Sequence, residues 1–280
     1  MNPWKSAAAA ALLSAVWSGA AVAGCGPEAG ACEVADGAYH IALPADANTP
    51  PPVVMFLHGY GGSGAQVMRN KALSEGLTER GYAVIAPEGR KRGGSGPQSW
   101  GFGPFTEGRD EGAFFASVLT DAAARFGTSS AQTVLAGFSA GAFMVHYLAC
   151  SDPAAFAAYA PVSGAFWRPQ PETCEGPVRL LQTHGWRDEV VPLEGRILGG
   201  GRWEQGDVFA GLEVWREANG CASHAPSKAW GEGEGGLLHR RWTCGAGAEI
   251  ELVLFDGGHT VPKAWAGLMA DWFEDEPAVR

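Results

Sequence analysis

Short runs of consecutive apolar residues recur along the chain, separated by stretches in which apolar positions return every three or four residues. Val53 to Leu57, Tyr82 to Ala86, Thr133 to Ala136, Phe156 to Val162, Val178 to Thr183 and Ile250 to Phe255 make up the first set. A strand buried on both faces has no polar side to alternate with, so these runs predict the central strands of a parallel sheet. Between them, Phe114, Phe115, Val118, Leu119 and Phe126 fall at helical spacing within Asp110 to Phe126 and read as core. Helices are also predicted over Ala142 to Ala149, from about Val208 with Asp207 as its cap, and over Pro262 to Phe273. Leu237 to Thr243 reads as an added edge strand. The alternation predicts an α/β fold, a doubly wound and mostly parallel sheet in a single domain. The glycine-rich stretches Gly93 to Gly103 and Gly199 to Gly206 are expected to be surface loops, since patterned segments resume on either side.

One strand-to-helix junction carries chemistry. Gly137-Phe138-Ser139-Ala140-Gly141 is a G-x-S-x-G pentapeptide between the apolar run ending at Ala136 and the helical stretch from Ala142. A serine on so tight a turn needs small residues two positions either side, and the turn presents its hydroxyl above the sheet beside a helix N-terminus. A serine attacks carbonyls only when a base removes its proton, so a histidine and an orienting acid are required. His259 follows the run ending at Phe255, and Asp188 follows the run ending at Thr183. All three lie where an open parallel sheet places its site, past the C-terminal ends of strands, and their order Ser, Asp, His is that of the α/β-hydrolase fold. Asp256 is the rival acid, three residues before the histidine. His146, one helix face below Ser139, is expected to be packed.

An oxyanion formed by such an attack needs backbone donors. Ala140 N–H is one; the second is expected from His58-Gly59-Tyr60-Gly61-Gly62-Ser63-Gly64, through Tyr60 N–H with Gly61 the alternative. The same loop spells G-x-G-x-x-G after a strand, with Glu88 near the distance of a ribose-binding acid, so a dinucleotide-binding oxidoreductase is the competing reading. It leaves the loops of Ser139, Asp188 and His259 without a purpose. No Lys-Ser or Lys-Thr follows the glycines, which excludes a P-loop.

With these segments in hand, the chain resembles secreted α/β-hydrolase esterases of the poly(3-hydroxybutyrate) depolymerase and feruloyl esterase type from about Cys25 to Trp272. The likeness rests on His58-Gly59-Tyr60-Gly61-Gly62, the serine pentapeptide, Ala160-Pro161-Val162-Ser163-Gly164, His184-Gly185 to Val191-Pro192, Asn219-Gly220-Cys221 and Gly257-Gly258-His259-Thr260. It implies that Ser139, Asp188 and His259 are the triad, that no cofactor is used, and that the substrate is a small or oligomeric carboxylic ester: a short hydroxyalkanoate oligomer, or a feruloyl or acetyl ester. A serine peptidase on the same fold is the alternative, because the triad alone does not separate the two. The glycine often found after the pentapeptide is Ala142 here, which tightens helix packing.

Six cysteines fit an oxidising compartment and permit fifteen pairings. Cys25 with Cys32, Cys150 with Cys174, and Cys221 with Cys244 bracket segments adjacent in the expected fold, and the family likeness points the same way. No C-x-x-C or H-E-x-x-H spacing favours a metal. Residues 1–23 carry one charge, Lys5, then an alanine-rich apolar run ending Ala21-Val22-Ala23, which reads as a cleaved signal peptide and leaves 24–280 as the catalytic domain. The expected location is extracellular or periplasmic. Val22-Ala23-Gly24-Cys25 also fits a lipoprotein signal, so lipid anchoring at Cys25 is the alternative, and the even cysteine count argues against it. A net charge of −10 argues against nucleic-acid partners. The chain ends just past its final helical stretch, so no polymer-binding module is expected. Of eleven tryptophans, Trp100 and Trp186 are candidate walls of the substrate pocket, together with Phe102 and Trp167.

Overall fold

The computed structural model describes residues 25–26, 30–46, 49–105, 108–232 and 236–275. The expected signal peptide, residues 1–23, lies outside them. In chain order the elements are β1 (Cys32–Val34), β2 (Gly37–Ala42), β3 (Pro52–Leu57), α1 (Gly64–Arg69), α2 (Lys71–Thr78), β4 (Ala83–Pro87), β5 (Arg90–Lys91), β6 (Gln98–Ser99), α3 (Glu111–Phe126), β7 (Ser129–Phe138) and α4 (Ala140–Ser151). They continue through β8 (Ala158–Val162), β9 (Arg179–Gly185), β10 (Ile197–Leu198), β11 (Trp203–Glu204), α5 (Val208–Ala218), β12 (Lys228–Glu232), β13 (Leu237–Thr243), β14 (Glu249–Phe255) and α6 (Trp265–Glu274).

Among the described residues, ten strands form one sheet in the order β1-β2-β4-β3-β7-β8-β9-β14-β13-β12. The six central strands, β4 to β14 in that order, pair in parallel. Antiparallel strands extend each side: β1 and β2 on one, β13 and β12 on the other. Along β3, Val53, Met55 and Leu57 enter one core while Val54 and Phe56 enter the other, which is why this strand reads as an unbroken apolar run. The first core is closed by α3, α4 and α5 through Phe114, Phe115, Phe143, Leu148, Leu212 and Trp215. The second is closed by α1, α2 and α6 through Val67, Leu73, Leu77, Trp265 and Met269. Helices on both faces and parallel strands between them are the doubly wound sheet that the pattern predicts.

Local signals set several boundaries. Asp110 caps α3 by accepting from Ala113 N–H at 3.0 Å, and Gly127 ends it in the left-handed region at φ 68°. Asp207 caps α5 through Ala210 N–H at 2.9 Å, as expected. Three disulfides join Cys25 to Cys32, Cys150 to Cys174 and Cys221 to Cys244, the pairing that the sequence favoured.

Four expectations need correction. Leu237 to Thr243 is an inner strand, because β12 lies outside it; β12 was not foreseen since all its side chains but Trp230 are exposed and nothing alternates. The strand expected from Phe156 begins at Ala158. The final helix starts at Trp265, preceded by a turn in which Trp265 N–H donates to Pro262 O. The two glycine-rich stretches are surface turns as expected, but each closes a short antiparallel ribbon that was not foreseen, β5 with β6 and β10 with β11.

Candidate active site

Ser139 stands between β7 and α4 at φ 56°, ψ −118°, a backbone conformation that costs a non-glycine residue about 1–3 kcal/mol. The flanking glycines explain how the turn is tolerated. A Cβ on Gly137 would lie 2.6 Å from Gly141 C, and one on Gly141 would lie 2.3 Å from Leu57 O, so strand, turn and neighbouring strand approach at backbone distance. Ser139 N–H donates to Val162 O on β8 and Phe143 N–H donates to Ser139 O, both at 3.0 Å, which fixes the turn from either side. Ala142 packs fully buried under Gly164, whose added Cβ would meet it at 2.5 Å.

His259 Nε2 lies 2.9 Å from Ser139 Oγ, and His259 Nδ1 lies 2.7 Å from Asp188 Oδ2. Asp188 is fully buried on its side chain, and its other oxygen accepts from Val190 N–H at 2.9 Å and Val191 N–H at 2.8 Å. Burial alone would raise its pKa. The hydrogen bond from His259 and the two backbone donors outweigh that and hold it below the usual carboxylate range. An ionised Asp188 accepts only, so Nδ1 carries the imidazole proton and Nε2 is left to accept from the serine hydroxyl.

The acid loop and the histidine loop are joined by their backbones. Trp186 N–H donates to Phe255 O at 3.2 Å and Arg187 N–H donates to Gly257 O at 3.0 Å. Gly185 permits this, since a Cβ there would sit 2.4 Å from Gly258 O. Asp256, the rival acid, points outward: it pairs with Arg187 at 2.7 Å and accepts from Trp186 Nε1 at 3.2 Å.

A buried hydrogen-bonded chain supports the acid loop. Trp215 Nε1 donates to His146 Nδ1 at 3.1 Å, and His146 Nε2 donates to Gln182 Oε1 at 2.8 Å. Gln182 Nε2 donates to His184 Nδ1 at 3.2 Å, and His184 Nε2 donates to Val191 O at 2.8 Å. His146 is thus packed, as expected, and burial pushes its pKa down to about 4. His184 belonged to the motif shared with the family, yet its partner could not be read from spacing, because Gln182 on the same strand face and His146 on α4 meet only in the folded sheet.

The glycine loop after β3 closes the other side. A Cβ on Gly59 would stand 3.3 Å from Ser139 Cβ, so the loop runs against the serine. Gly61 N–H donates to Gln98 O at 2.8 Å and Gly62 N–H donates to Gly59 O at 2.9 Å. Gly61, the alternative donor, is therefore engaged. Tyr60 N–H and Ala140 N–H have no acceptor among the described residues.

The competing reading of this loop fails on charge. Glu88 does not face a ribose; its carboxylate accepts from Ala65 N–H at 3.3 Å and lies 3.1 Å from His40 Nε2, so a negative group already occupies the start of α1. Burial raises the Glu88 pKa, but His40 and the N–H groups of Gly64 and Ala65 together hold it below normal. A pyrophosphate would meet that carboxylate.

Three of the four aromatic candidates are not free walls. Trp100 is 3% exposed, its Nε1 donating to His58 O at 2.8 Å, so it anchors the glycine loop. Phe102 stacks on Phe143 and Tyr147, and Trp167 packs against Phe143 and Phe105. Only Trp186 is open, at 50% exposure, with Tyr60 at 58%. Instead, a cavity of about 370 Å³ opens along the glycine loop, its wall including Phe56, Gln66, Asn70, Leu73, Phe138 and Val261. Phe138 and Val261 flank Ser139 and His259 in the chain, a signal that sequence reading could have used.

Six parallel strands, helices on both faces, and a serine, an acid and a histidine on the loops after β7, β9 and β14, at the strands' C-terminal ends, define an α/β-hydrolase. A family model described as alpha/beta hydrolase fold matches residues 52–198, over half of the chain, and the chain belongs to that family. It is similar to the probable feruloyl esterase C of Aspergillus niger, 28% identical over 222 residues that span 76% of this chain and 72% of that protein. It is also similar to feruloyl esterase C of Emericella nidulans, 27% identical with the same coverage. Among solved structures, an acetyl xylan esterase from Aspergillus awamori superposes with a TM-score of 0.63 at 16% identity, covering 86% of this chain and 96% of that one, a likeness of fold.

Proposed function

We propose that this chain is a serine esterase that cleaves carboxylic esters through an acyl-enzyme. The observation that carries the reading is the continuous run of contacts from Ser139 Oγ through His259 to Asp188, at 2.9 and 2.7 Å. In the first step Ser139 Oγ attacks the ester carbonyl as its proton passes to His259 Nε2, and the imidazolium is stabilised by Asp188. The carbonyl oxygen takes the electron pair and is met by Tyr60 and Ala140 N–H, a contribution of roughly 3–4 kcal/mol per donor. Collapse expels the alkoxide, which takes the proton from His259. Water then attacks the acyl-enzyme, His259 again accepting a proton, and the acid leaves as Ser139 is reprotonated.

The cavity of Phe56, Leu73, Phe138 and Val261 receives the acyl group, with the exposed Tyr60 on its wall. Its size and mixed lining, with Phe56, Leu73, Phe138 and Val261 beside Gln66 and Asn70, suit acetyl, short hydroxyalkanoate and feruloyl groups, and the likeness to feruloyl esterases supports this range. A panel of p-nitrophenyl acetate, butyrate and octanoate, methyl ferulate, soluble 3-hydroxybutyrate oligomers, crystalline polyester film and a peptide amide tests the assignment. The soluble esters are cleaved fastest. Preference for the peptide, or rapid clearing of the film, overturns it.

Export to an oxidising compartment, with residues 1–23 removed, is part of the same proposal. Three disulfides support it, and the engagement of Cys25 with Cys32 supports simple secretion over lipid anchoring. Intact-mass measurement of the exported protein decides: acyl chains on an N-terminal Cys25 contradict it.

A further inference from the structure

Arg90, Lys91 and, in the turn that follows, Arg92 are three consecutive exposed cations on the ribbon of β5 and β6, none ion-paired with a carboxylate among the described residues, Arg90 lying near enough to Glu111 to favour its ionised form. In a chain of net charge −10 such a group is conspicuous, since acidic side chains were available to neutralise it. Adjacent like charges repel, and that repulsion is relieved by a bound anion. The three side chains line a cavity of about 590 Å³, inside the roughly 300–1,000 Å³ range of pockets that enclose a ligand of several hundred daltons. Arg109 and Glu111, also on its wall, are buried and paired with each other at 2.7 Å, so they neutralise one another and, among the described residues, leave the three cations as the net charge there.

Beside the charged groups the wall is largely glycine, with Trp100, Phe105 and Trp203 as its aromatic members. The Arg92 guanidinium lies 4.7 Å from the centroid of Phe105, and Phe105 lies 4.7 Å from Trp203 of β11. Trp203 is half-buried, with part of its ring system open to the cavity. Cations beside an aromatic face match a sugar ring that carries a carboxylate: the charge meets the guanidinium groups and the C–H face meets the indole.

The cavity is also tied to the catalytic loops. Gln98 O, on the cation-bearing ribbon, accepts from Gly61 N–H next to Tyr60, Gly89 N–H donates to His58 Nε2, and Trp100 Nε1 donates to His58 O. On its other side Phe105 packs on Trp167 and Trp167 on Phe143, whose N–H donates to Ser139 O. We propose that this cavity is a subsite for an acidic oligosaccharide, binding the uronate-bearing sugar on the alcohol side of the ester that Ser139 cleaves. The assignment rests on the esterase reading and narrows its substrate to esters carried on acidic polysaccharide.

Calorimetric titration of the full chain carrying Ser139→Ala tests it, with trigalacturonate and neutral xylotriose as probes. Trigalacturonate binds at least about tenfold more tightly than xylotriose at low ionic strength, the product of several exposed charge contacts. Its advantage shrinks as salt screens those contacts. In the combined Arg90→Gln, Lys91→Gln, Arg92→Gln variant, shown to be folded by circular dichroism, the preference disappears. Trp203→Ala weakens both sugars alike, which separates stacking from charge. Equal affinity for the two probes, binding of neither, or an unchanged preference in the triple variant overturns the proposal. Hydrolysis of p-nitrophenyl acetate by the unsubstituted chain, measured alongside, tests the esterase reading by itself, because the titration requires no turnover.

Discussion

Arg187 and Asp256 form a 2.7 Å ion pair on the outside of the site, and that pairing assigns different work to the two carboxylates nearest His259. Asp256 is held outward by its neighbour's guanidinium, whereas Asp188, one residue after Arg187, is buried against His259 Nδ1. Asp188→Asn should lower kcat/KM roughly a thousandfold or more, because the imidazole loses the acceptor that sets its tautomer. Asp256→Asn removes an exposed pair worth about 0.2–1 kcal/mol and should leave kcat/KM within about threefold. Steady-state kinetics on p-nitrophenyl acetate compare them; a larger loss from the Asp256 change would reverse the assignment.

His146 makes stability depend on pH. It is buried in the neutral form with its pKa pushed from 6.5 to about 4, so above pH 6.5 neither state binds a proton and the full stability is present. As pH falls below 6.5 the unfolded chain binds the proton first, and stability is lost until about pH 4, by roughly 3 kcal/mol for a shift of this size. Burial shifts His184 in the same direction and adds to the loss. Urea midpoints should therefore fall steeply over that window. In His146→Gln the midpoint at pH 7 is lower but its slope against pH is shallower; identical slopes in the two proteins would contradict this.

Cys150 and Cys174 tie the end of α4 to the segment before β9 across 24 residues. Closing a loop of that length in the unfolded chain is worth about 3 kcal/mol. Cys150→Ala with Cys174→Ala should lower the unfolding free energy by that order in urea titration, and an unchanged midpoint would show that the bridge contributes nothing.

Val261 stands in the wall of the cavity along the glycine loop, together with Phe138, which precedes Ser139. Enlarging it in Val261→Trp should reduce kcat/KM for p-nitrophenyl octanoate relative to acetate by about tenfold, since several methylenes lose their place. A parallel fall for both esters would place acyl binding elsewhere.

The parallel core was legible because strands buried on both faces leave unbroken apolar runs, as Val53 to Leu57 does, and the serine turn was legible because Gly137 and Gly141 admit no Cβ. The outer strands were not. β12 exposes Lys228, Ala229, Gly231 and Glu232, and β5, β6, β10 and β11 are two residues each, too short for any period to show. Trp167 misled for a related reason: it sits in a loop by sequence, yet its ring contacts draw it inward, whereas Trp100, though buried, does line a cavity, the one between Arg90 and Trp203. Which of Tyr60 and Gly61 keeps a free N–H depended on Gln98, some forty residues away on a ribbon that the sequence did not announce.

The most direct test of the account is the Ser139→Ala enzyme assayed on p-nitrophenyl acetate, with its melting temperature measured beside the parent. The substitution removes one oxygen at an accessible turn, so the fold should persist while kcat/KM falls roughly a thousandfold or more, to the residual level left by the oxyanion donors. Undiminished hydrolysis by the folded variant would contradict the acyl-enzyme mechanism and with it the assignment of this site.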